Sequence, residues 1–427
     1  MMNKEFSPVE WSLNTNIYEV NVRQYTPEGT FRAFQKHLPR LREMGVETLW
    51  FMPITPIATE KRHGTLGSYY ACSSYDTINP EFGTLDDFKD LVQEAHDRGF
   101  KVIIDWVANH TGWNHEWTVT NPGFYKKNTE GSFYDTHGWE DVIDLNFYDH
   151  NMRREMVAAM KYWLQTCDLD GFRCDMAHIV PHDFWRNTRL ELDAIKPLFW
   201  LAESDDPNYY DVFDVGYAWQ WMHRTESFFK KETSLRDMNL VLKIYDEQYP
   251  RGSRHLFFTT NHDENSWNGT EFEKYGDAAR GLAVFTYTWN GVPLVYSGQE
   301  IPNTKRLKFF DKDQLDFGTS FKNHDFYKTL NQFRKEHPAF TGYPLTSPDM
   351  VPTNHPDKVT CYHKRAGDAD MLVAINLSPE TISVEIASGL VTGDFRSVLD
   401  TRTFNFDGSI RIECGPWDAL VLTNHKH

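Results

Sequence analysis

Short β-branched and aromatic runs alternate along the chain with longer stretches whose apolar positions recur at helical spacing. Residues 17–24 read as a strand and 31–44 as a helix closed by Gly45, with a second strand at 47–52. Thr84, followed by Asp86 and Asp87, is an expected helix N-cap. Its hydroxyl can accept from an early amide, and acidic residues suit the positive end of the helix dipole. That helix should run to about Arg98 and stop at Gly99. Residues 101–107 are apolar with almost no alternation, as a strand buried on both faces requires. Between His110 and Asp144 the rhythm breaks into Gly, Asn, Asp and Trp. A stretch that long inside a compact domain is a functional loop or a small subdomain. Alternation then resumes, with strands at 171–177, 198–202, 212–217, 255–260 and 293–297. Helices are expected at 153–166, 184–195, 235–245, 277–289 and 326–336.

Eight strands, each followed by helical material, predict an α/β fold of the (β/α)8 TIM barrel type. The barrel would comprise 1–109 and 145–338, with an insertion subdomain at 110–144 after the third strand. A doubly wound sheet is disfavoured, because no G-x-G-x-x-G opens the first helix. From 339 to 427 helical spacing gives way to strand-like runs at 358–363, 371–376, 382–386, 410–412 and 419–422. Gly, Pro, Asp and Asn separate them, which predicts a C-terminal all-β sandwich.

Composition narrows the choice of partner. The 427 residues carry 44 Lys plus Arg against 61 Asp plus Glu, a net charge of −17. Such a surface repels phosphate backbones and anionic lipid, so neither nucleic acid nor a membrane is expected as a partner. Hydrophobic residues make up 40%, enough for a large core, and 14 Trp suggest either that core or an aromatic cleft. The five Cys are odd in number and form no C-x-x-C pair, so no disulfide framework or zinc site is expected. Lys4, Glu5 and Glu10 interrupt the N-terminal stretch, which therefore does not read as a signal segment. No apolar run approaches the roughly 18 residues of a membrane span. A cytoplasmic location is the expectation; a trimmed signal segment would leave a periplasmic or secreted protein looking the same.

The polar residues with the most chemical promise lie where barrel strands should end. Strand three runs into Asp105-Trp-Val-Ala-Asn109-His110, and strand four reads Gly171-Phe-Arg173-Cys-Asp175. Strand five ends at Glu203-Ser204, and strand seven at Asn261-His262-Asp263-Glu264-Asn265. Each alone has a structural reading: a loop-bonding aspartate, a same-face ion pair of Arg173 with Asp175, a helix cap, an Asx turn. Together they place carboxylates, two histidines and an arginine at the rim where barrels of this kind build active sites.

These segments resemble the alpha-amylase family of glycoside hydrolases. The likeness extends to Val142-Ile-Asp144-Leu-Asn146, and to Tyr69-Tyr70 ahead of Tyr75-Asp-Thr-Ile-Asn-Pro80-Glu-Phe-Gly83-Thr. It implies Asp175 as nucleophile, Glu203 as general acid/base and Asp263 as stabiliser of the distorted sugar. Cleavage with retention needs two carboxyl groups about 5–5.5 Å apart, one attacking the anomeric carbon and one protonating the leaving oxygen. Arg173 beside Asp175 should lower that carboxyl's pKa, while nearby carboxylates and an apolar strand end should raise that of Glu203. The resemblance further implies that His110 and His262 bond sugar hydroxyls and that Tyr70 stacks on the ring. Asp105 would support Arg173 or the histidines. Trp106, Trp113, Trp117, Trp139, Trp221 and Trp267 fall in or near rim loops, and some should form sugar subsites. Chemistry by carboxylates needs no cofactor, but a structural Ca2+ is common in the family, and Asn109 and Asp144 match two of its ligands. The family's usual histidine lies four residues after the nucleophile; His178 lies three after Asp175.

The expected activity is retaining hydrolysis of α-glucosidic bonds, foremost α-1,4, in malto-oligosaccharides or α-glucans. A transglycosylase or glucosyl-isomerising enzyme would use the same machinery, and the loop of Asn265, Ser266 and Trp267 would separate them. A non-catalytic sugar-binding relative would be expected to have lost one of the three carboxylates.

Overall fold

In a computed structural model, which describes residues 6–425 apart from 319, 388 and 409, eight parallel strands close into a barrel. They are β1 (Ile17–Val20), β2 (Thr48–Phe51), β3 (Lys101–Trp106), β4 (Gly171–Cys174), β5 (Phe199–Ala202), β6 (Val215–Tyr217), β7 (Arg254–Phe257) and β8 (Val292–Tyr296). Helices cover their outer face and side chains fill the inside, so almost every strand residue is buried; this is why β3 shows no alternation. β8 pairs with β1 and closes the ring. Gly171 is required by a close approach: a Cβ there would lie 2.0 Å from the Phe199 carbonyl oxygen of the neighbouring strand.

Several elements differ from the sequence reading. The strand expected at 17–24 stops at Val20, because the Asn21 side chain accepts from the Gln24 amide and caps a short helix, Val22–Tyr25. The helix expected at 31–44 is two, Phe31–Gln35 and Leu38–Glu43, with Pro39 in the first turn of the second, where its missing N–H is harmless. A helix at Trp219–Phe229 was not expected from the sequence, and no side chain caps its start. The Thr84 prediction holds: Thr84 and Asp87 form a capping box on helix Leu85–Asp97.

After β3 the chain leaves the rim and returns through an antiparallel hairpin, His110–Gly112 with Val142–Asp144, in which His110 faces Asp144. Strands this short carry no readable period. After helix His324–Glu336, two antiparallel sheets follow. One has six strands, in the order Asp349–Met350, Val359–Ala366, Ala369–Asn376, Ala419–Thr423, Gly393–Ser397, Thr403–Phe406. The other pairs Ile382–Ile386 with Ile410–Cys414, whose alternate residues are buried in a core shared with the first sheet. The strands at 393–397 and 403–406 had no counterpart in the sequence reading. The helix Ala279–Thr288, buried except at Arg280, joins this β region to the barrel, with Thr288 Oγ1 2.6 Å from the Tyr362 hydroxyl. No described helix is long and apolar enough to cross a membrane, and the described cysteines are all buried and unpaired.

Candidate active site

Strand register brings the polar residues together. Asp105 of β3 lies opposite Arg173 of β4, and Asp175 and Glu203 follow directly on β4 and β5. Arg173 is completely buried, and its guanidinium is the hub. Nη1 donates to Asp105 Oδ1 (2.8 Å) and Asp175 Oδ1 (2.9 Å), and Nε donates to the Tyr217 hydroxyl (3.1 Å). Nη2 lies 2.9 Å from Glu203 Oε2. The same Glu203 oxygen accepts from the Met176 amide at 2.8 Å. To present that amide Met176 takes a left-handed backbone conformation (φ +42°), which costs a branched or long side chain about 1–2 kcal/mol.

One cation thus serves three buried carboxylates, and the charge is not balanced. Burial raises the Glu203 carboxyl to about 7; Arg173 opposes this, while Asp175 and Asp263 add to it. Asp175 rises to about 6 for the same reason, with Asp105 and Asp263 reinforcing burial. The expectation that Arg173 would set Asp175 low is therefore corrected: desolvation outweighs the guanidinium, which is shared rather than dedicated. Asp105 is also raised to about 6 by burial.

Above this layer opens a cleft of about 260 Å3, lined by Tyr70, His110, Asp175, Glu203, His262, Asp263 and Trp267 among others. Asp263 keeps 36% of its side chain exposed and lies 3.4 Å from His262 Nε2. Tyr70 stacks on the His262 ring (centroids 5.3 Å apart) while its hydroxyl meets Asp105 Oδ2 (3.0 Å) and His262 Nε2 (2.6 Å). The two histidines differ. Burial lowers His110 to about 4, leaving it neutral. Burial also opposes charge on His262, but the Asp263 and Glu19 carboxylates prevail and raise it to about 9. Asp105 and Arg173 lie beneath the cleft and hold the groups that face it.

The aromatic expectation divides sharply. Trp139 and Trp267 line the cleft, and Trp267, half exposed, leans on Phe309 and Phe310. Trp106 is instead core, stacked on Tyr75, and Trp221 packs on Phe285 at 4.2 Å. Trp117 packs on Phe124, and Trp113 carries Lys61 over its ring. Met176, Asp141, Phe309 and Phe310 line the cleft without having been singled out in the sequence. The two phenylalanines sit on the long segment between β8 and helix His324–Glu336, which has no period to read.

A family model described as "Alpha amylase, catalytic domain" matches residues 12–123 and 120–354, most of the chain. The chain belongs to the alpha-amylase family. Among this family's members, the alpha-amylase MalA of Haloarcula japonica is 27% identical over 412 residues, covering 90% of this chain and 59% of that protein. Alpha-amylase 3 of Dictyoglomus thermophilum is 27% identical over 68% of this chain and 64% of its own length. The chain thus spans about three fifths of the length of these curated relatives. Two solved alpha-amylase structures are similar throughout. The maltogenic alpha-amylase AmyB of Thermotoga neapolitana has TM-score 0.88 and 29% identity, over 97% of this chain and 100% of that one. The alpha-amylase of Lactobacillus plantarum has TM-score 0.88 and 26% identity, over 97% and 99%.

The calcium expected from this alpha-amylase-family resemblance meets a different chemistry. Asn109 and Asp144 are brought together, with Asn109 Nδ2 3.3 Å from Asp144 Oδ1. The other Asp144 oxygen accepts from Lys126 Nζ (2.9 Å) and Thr136 Oγ1 (2.5 Å). An ammonium already faces the fully buried carboxylate, and hydrogen-bond donors hold Asp144 below the usual range despite its burial. The His178 carbonyl is turned to the Tyr209 hydroxyl (3.1 Å). Among the described residues, no group of three His, Cys, Asp or Glu is suited to a metal ion. The residues at Asp144 therefore fit a protein cation better than the six to eight oxygens of Ca2+.

Proposed function

We propose that this chain is a retaining glycoside hydrolase acting on α-glucosidic bonds, foremost α-1,4, of malto-oligosaccharides or α-glucans. The observation that carries the reading is the arrangement of Asp175 and Glu203 on one guanidinium at the floor of the cleft, with Asp263 on its wall. Asp175, mostly ionised at neutral pH, attacks the anomeric carbon. Glu203, still substantially protonated, delivers its proton to the leaving oxygen. A glycosyl ester on Asp175 results; Glu203, now a carboxylate, takes a proton from water, which attacks the same carbon and releases the sugar with its original configuration. Asp263, the most exposed of the three, presents negative charge to the electron-poor ring of the transition state. His110 and His262 bond ring hydroxyls, Tyr70 offers its face to the sugar, and Trp267 extends an apolar platform beyond the cleaved bond. No cofactor enters either step.

The substrate class is supported by the names of similar proteins, which include cyclomaltodextrinases and maltogenic alpha-amylases. The acidic surface supports a neutral carbohydrate partner rather than nucleic acid or membrane. Five buried, unpaired cysteines fit a reducing, cytoplasmic setting. The test is product analysis on maltoheptaose, pullulan, cyclodextrin and sucrose, with Asp175→Asn alongside. Maltose or glucose from maltoheptaose with the wild type, and none with Asp175→Asn, supports the reading. Longer oligosaccharides as the main products would replace hydrolysis by glycosyl transfer.

A further inference from the structure

Glu19 is a buried carboxylate to which neither the mechanism nor the sequence pattern gives a role. It is the third residue of β1, has no exposed surface, and points into the barrel mouth beside β8 and β2. A carboxylate there loses several kcal/mol of hydration unless a charge or strong donors replace it. Its Oε1 lies 2.5 Å from His262 Nδ1, and Oε2 has no hydrogen-bond partner among the described residues. No described Lys or Arg makes an ion pair with it, so its one close counter-charge is the imidazole.

The other side of the ring fixes what that pairing does. Nε2 faces the Tyr70 hydroxyl at 2.6 Å and Asp263 Oδ2 at 3.4 Å. A neutral imidazole has one N–H. Were that hydrogen on Nδ1 for Glu19, Nε2 would turn a lone pair towards the Asp263 carboxylate. The Tyr70 hydrogen would then be drawn away from Asp105, 3.0 Å on the other side. With both nitrogens protonated, Nε2–H donates towards Tyr70 and Asp263, and the Tyr70 hydroxyl is free to donate to Asp105.

We propose that Glu19 is a positioning residue that keeps His262 an imidazolium, so that its Nε2–H orients Tyr70 and Asp263 at the sugar site. This role rests on the glycosidase reading above. The groups facing the ring are Glu19 on β1, Tyr70 after β2, Asp105 on β3 and Asp263 beside it, all favouring charge or accepting from it. Arg173 on β4 opposes it, and the edge-on Trp50 ring of β2 is neutral. The balance raises His262 to about 9.

Glu19→Gln keeps the shape and removes the charge. Histidine-labelled NMR of the resting protein, with His262 assigned by its loss in His262→Gln, should show the ring titrating near pH 9 in the wild type and below 7 in the variant. Glu19→Asp, which keeps the charge, should titrate above 7. Against maltoheptaose, Glu19→Gln should lose at least tenfold in kcat/KM at pH 7.5, with the deficit shrinking at least threefold at pH 5.5, where the ring recharges. A role confined to folding would lower Tm and activity equally at both pH values. The proposal is overturned if His262 keeps its wild-type titration in Glu19→Gln, if Glu19→Asp titrates as low as the glutamine, or if the deficit is the same at both pH values. The titration involves no sugar, so it judges Glu19 even if the wild type cleaves no glucan.

Discussion

Glu203→Gln separates the two faces of one group, its chemistry and its burial. In the structure, Glu203 Oε2 takes both the Met176 amide and Arg173. A glutamine amide oxygen can occupy that position while its NH2 points into the cleft. Geometry is kept, the proton donor is lost. For the wild type, burial raises both carboxyls, Asp175 to about 6 and Glu203 to about 7, so the productive form, Asp175 ionised with Glu203 protonated, is most populated between those values. Above about 7 the proton donor is lost, so kcat/KM should follow a narrow bell and fall by up to about tenfold per pH unit on its alkaline side. In Glu203→Gln, kcat on maltoheptaose should fall by about 10²–10⁴-fold and the alkaline limb near 7 should vanish. An aryl glycoside with a good leaving group, which needs little protonation, should suffer far less in the bond-breaking step.

Stability should move the other way. The folded-state pKa of Glu203 lies above its ordinary value of 4.5, so folding favours the protonated form. The carboxyl costs nothing below pH 4.5, where both states are protonated; the penalty builds between pH 4.5 and 7 and is on the order of 3 kcal/mol at pH 8. Glutamine never ionises. Denaturant unfolding should therefore find Glu203→Gln more stable than the wild type at pH 8 and little different at pH 4.5. A variant within tenfold of wild-type activity, or one keeping the alkaline limb, would refute the acid/base assignment.

Four further outcomes are expected. Arg173→Lys keeps a charge but not a fork reaching three carboxylates, and should lose at least about 100-fold in kcat/KM with a lower Tm; a variant within tenfold would remove Arg173 from the hub of the site. Lys126→Met leaves the buried Asp144 without its ammonium, and should cost on the order of 1–3 kcal/mol by denaturant unfolding, discounted because Lys126 is over a third exposed. The wild type should show the same Tm in EDTA as in millimolar Ca2+, and a rise of several degrees with calcium would contradict the ammonium at Asp144. Trp267→Ala should raise KM for maltoheptaose by about two- to tenfold, the worth of one aromatic contact, with little change for maltotriose; equal effects on both would place Trp267 elsewhere than a distal subsite.

The sequence made most of this architecture legible because barrel strands obey simple rules. β3 and β4 are short, apolar and end in charge, and their order along the chain already placed Asp105, Arg173, Asp175, Glu203 and Asp263 at one rim. Local chemistry blurred the boundaries: Asn21 turns a strand into a helix within a residue, and Pro39 divides what spacing reads as continuous. Glu19 was hidden by its own pattern. Between Tyr18 and Val20 a glutamate reads as the outward half of an alternating strand, whereas a barrel strand has no exposed face. The signal was a carboxylate in a strand that should be apolar throughout. The acidity of Asp175 was misjudged because a sequence shows an arginine two residues away but not the two other carboxylates that share it. The Lys126 to Asp144 pair is equally invisible, since no spacing rule joins a loop lysine to a strand 18 residues later.

The most direct test of the central claim, that Asp175 attacks while Glu203 donates, is covalent trapping followed by peptide mass mapping. Glu203→Gln incubated with an activated fluoro-sugar, 5-fluoro-α-D-glucosyl fluoride, should accumulate one sugar per chain, on the peptide containing Asp175 and absent from Asp175→Asn. A sugar carried by the Asp263 peptide, or no adduct while the fluoride is still turned over, would contradict it.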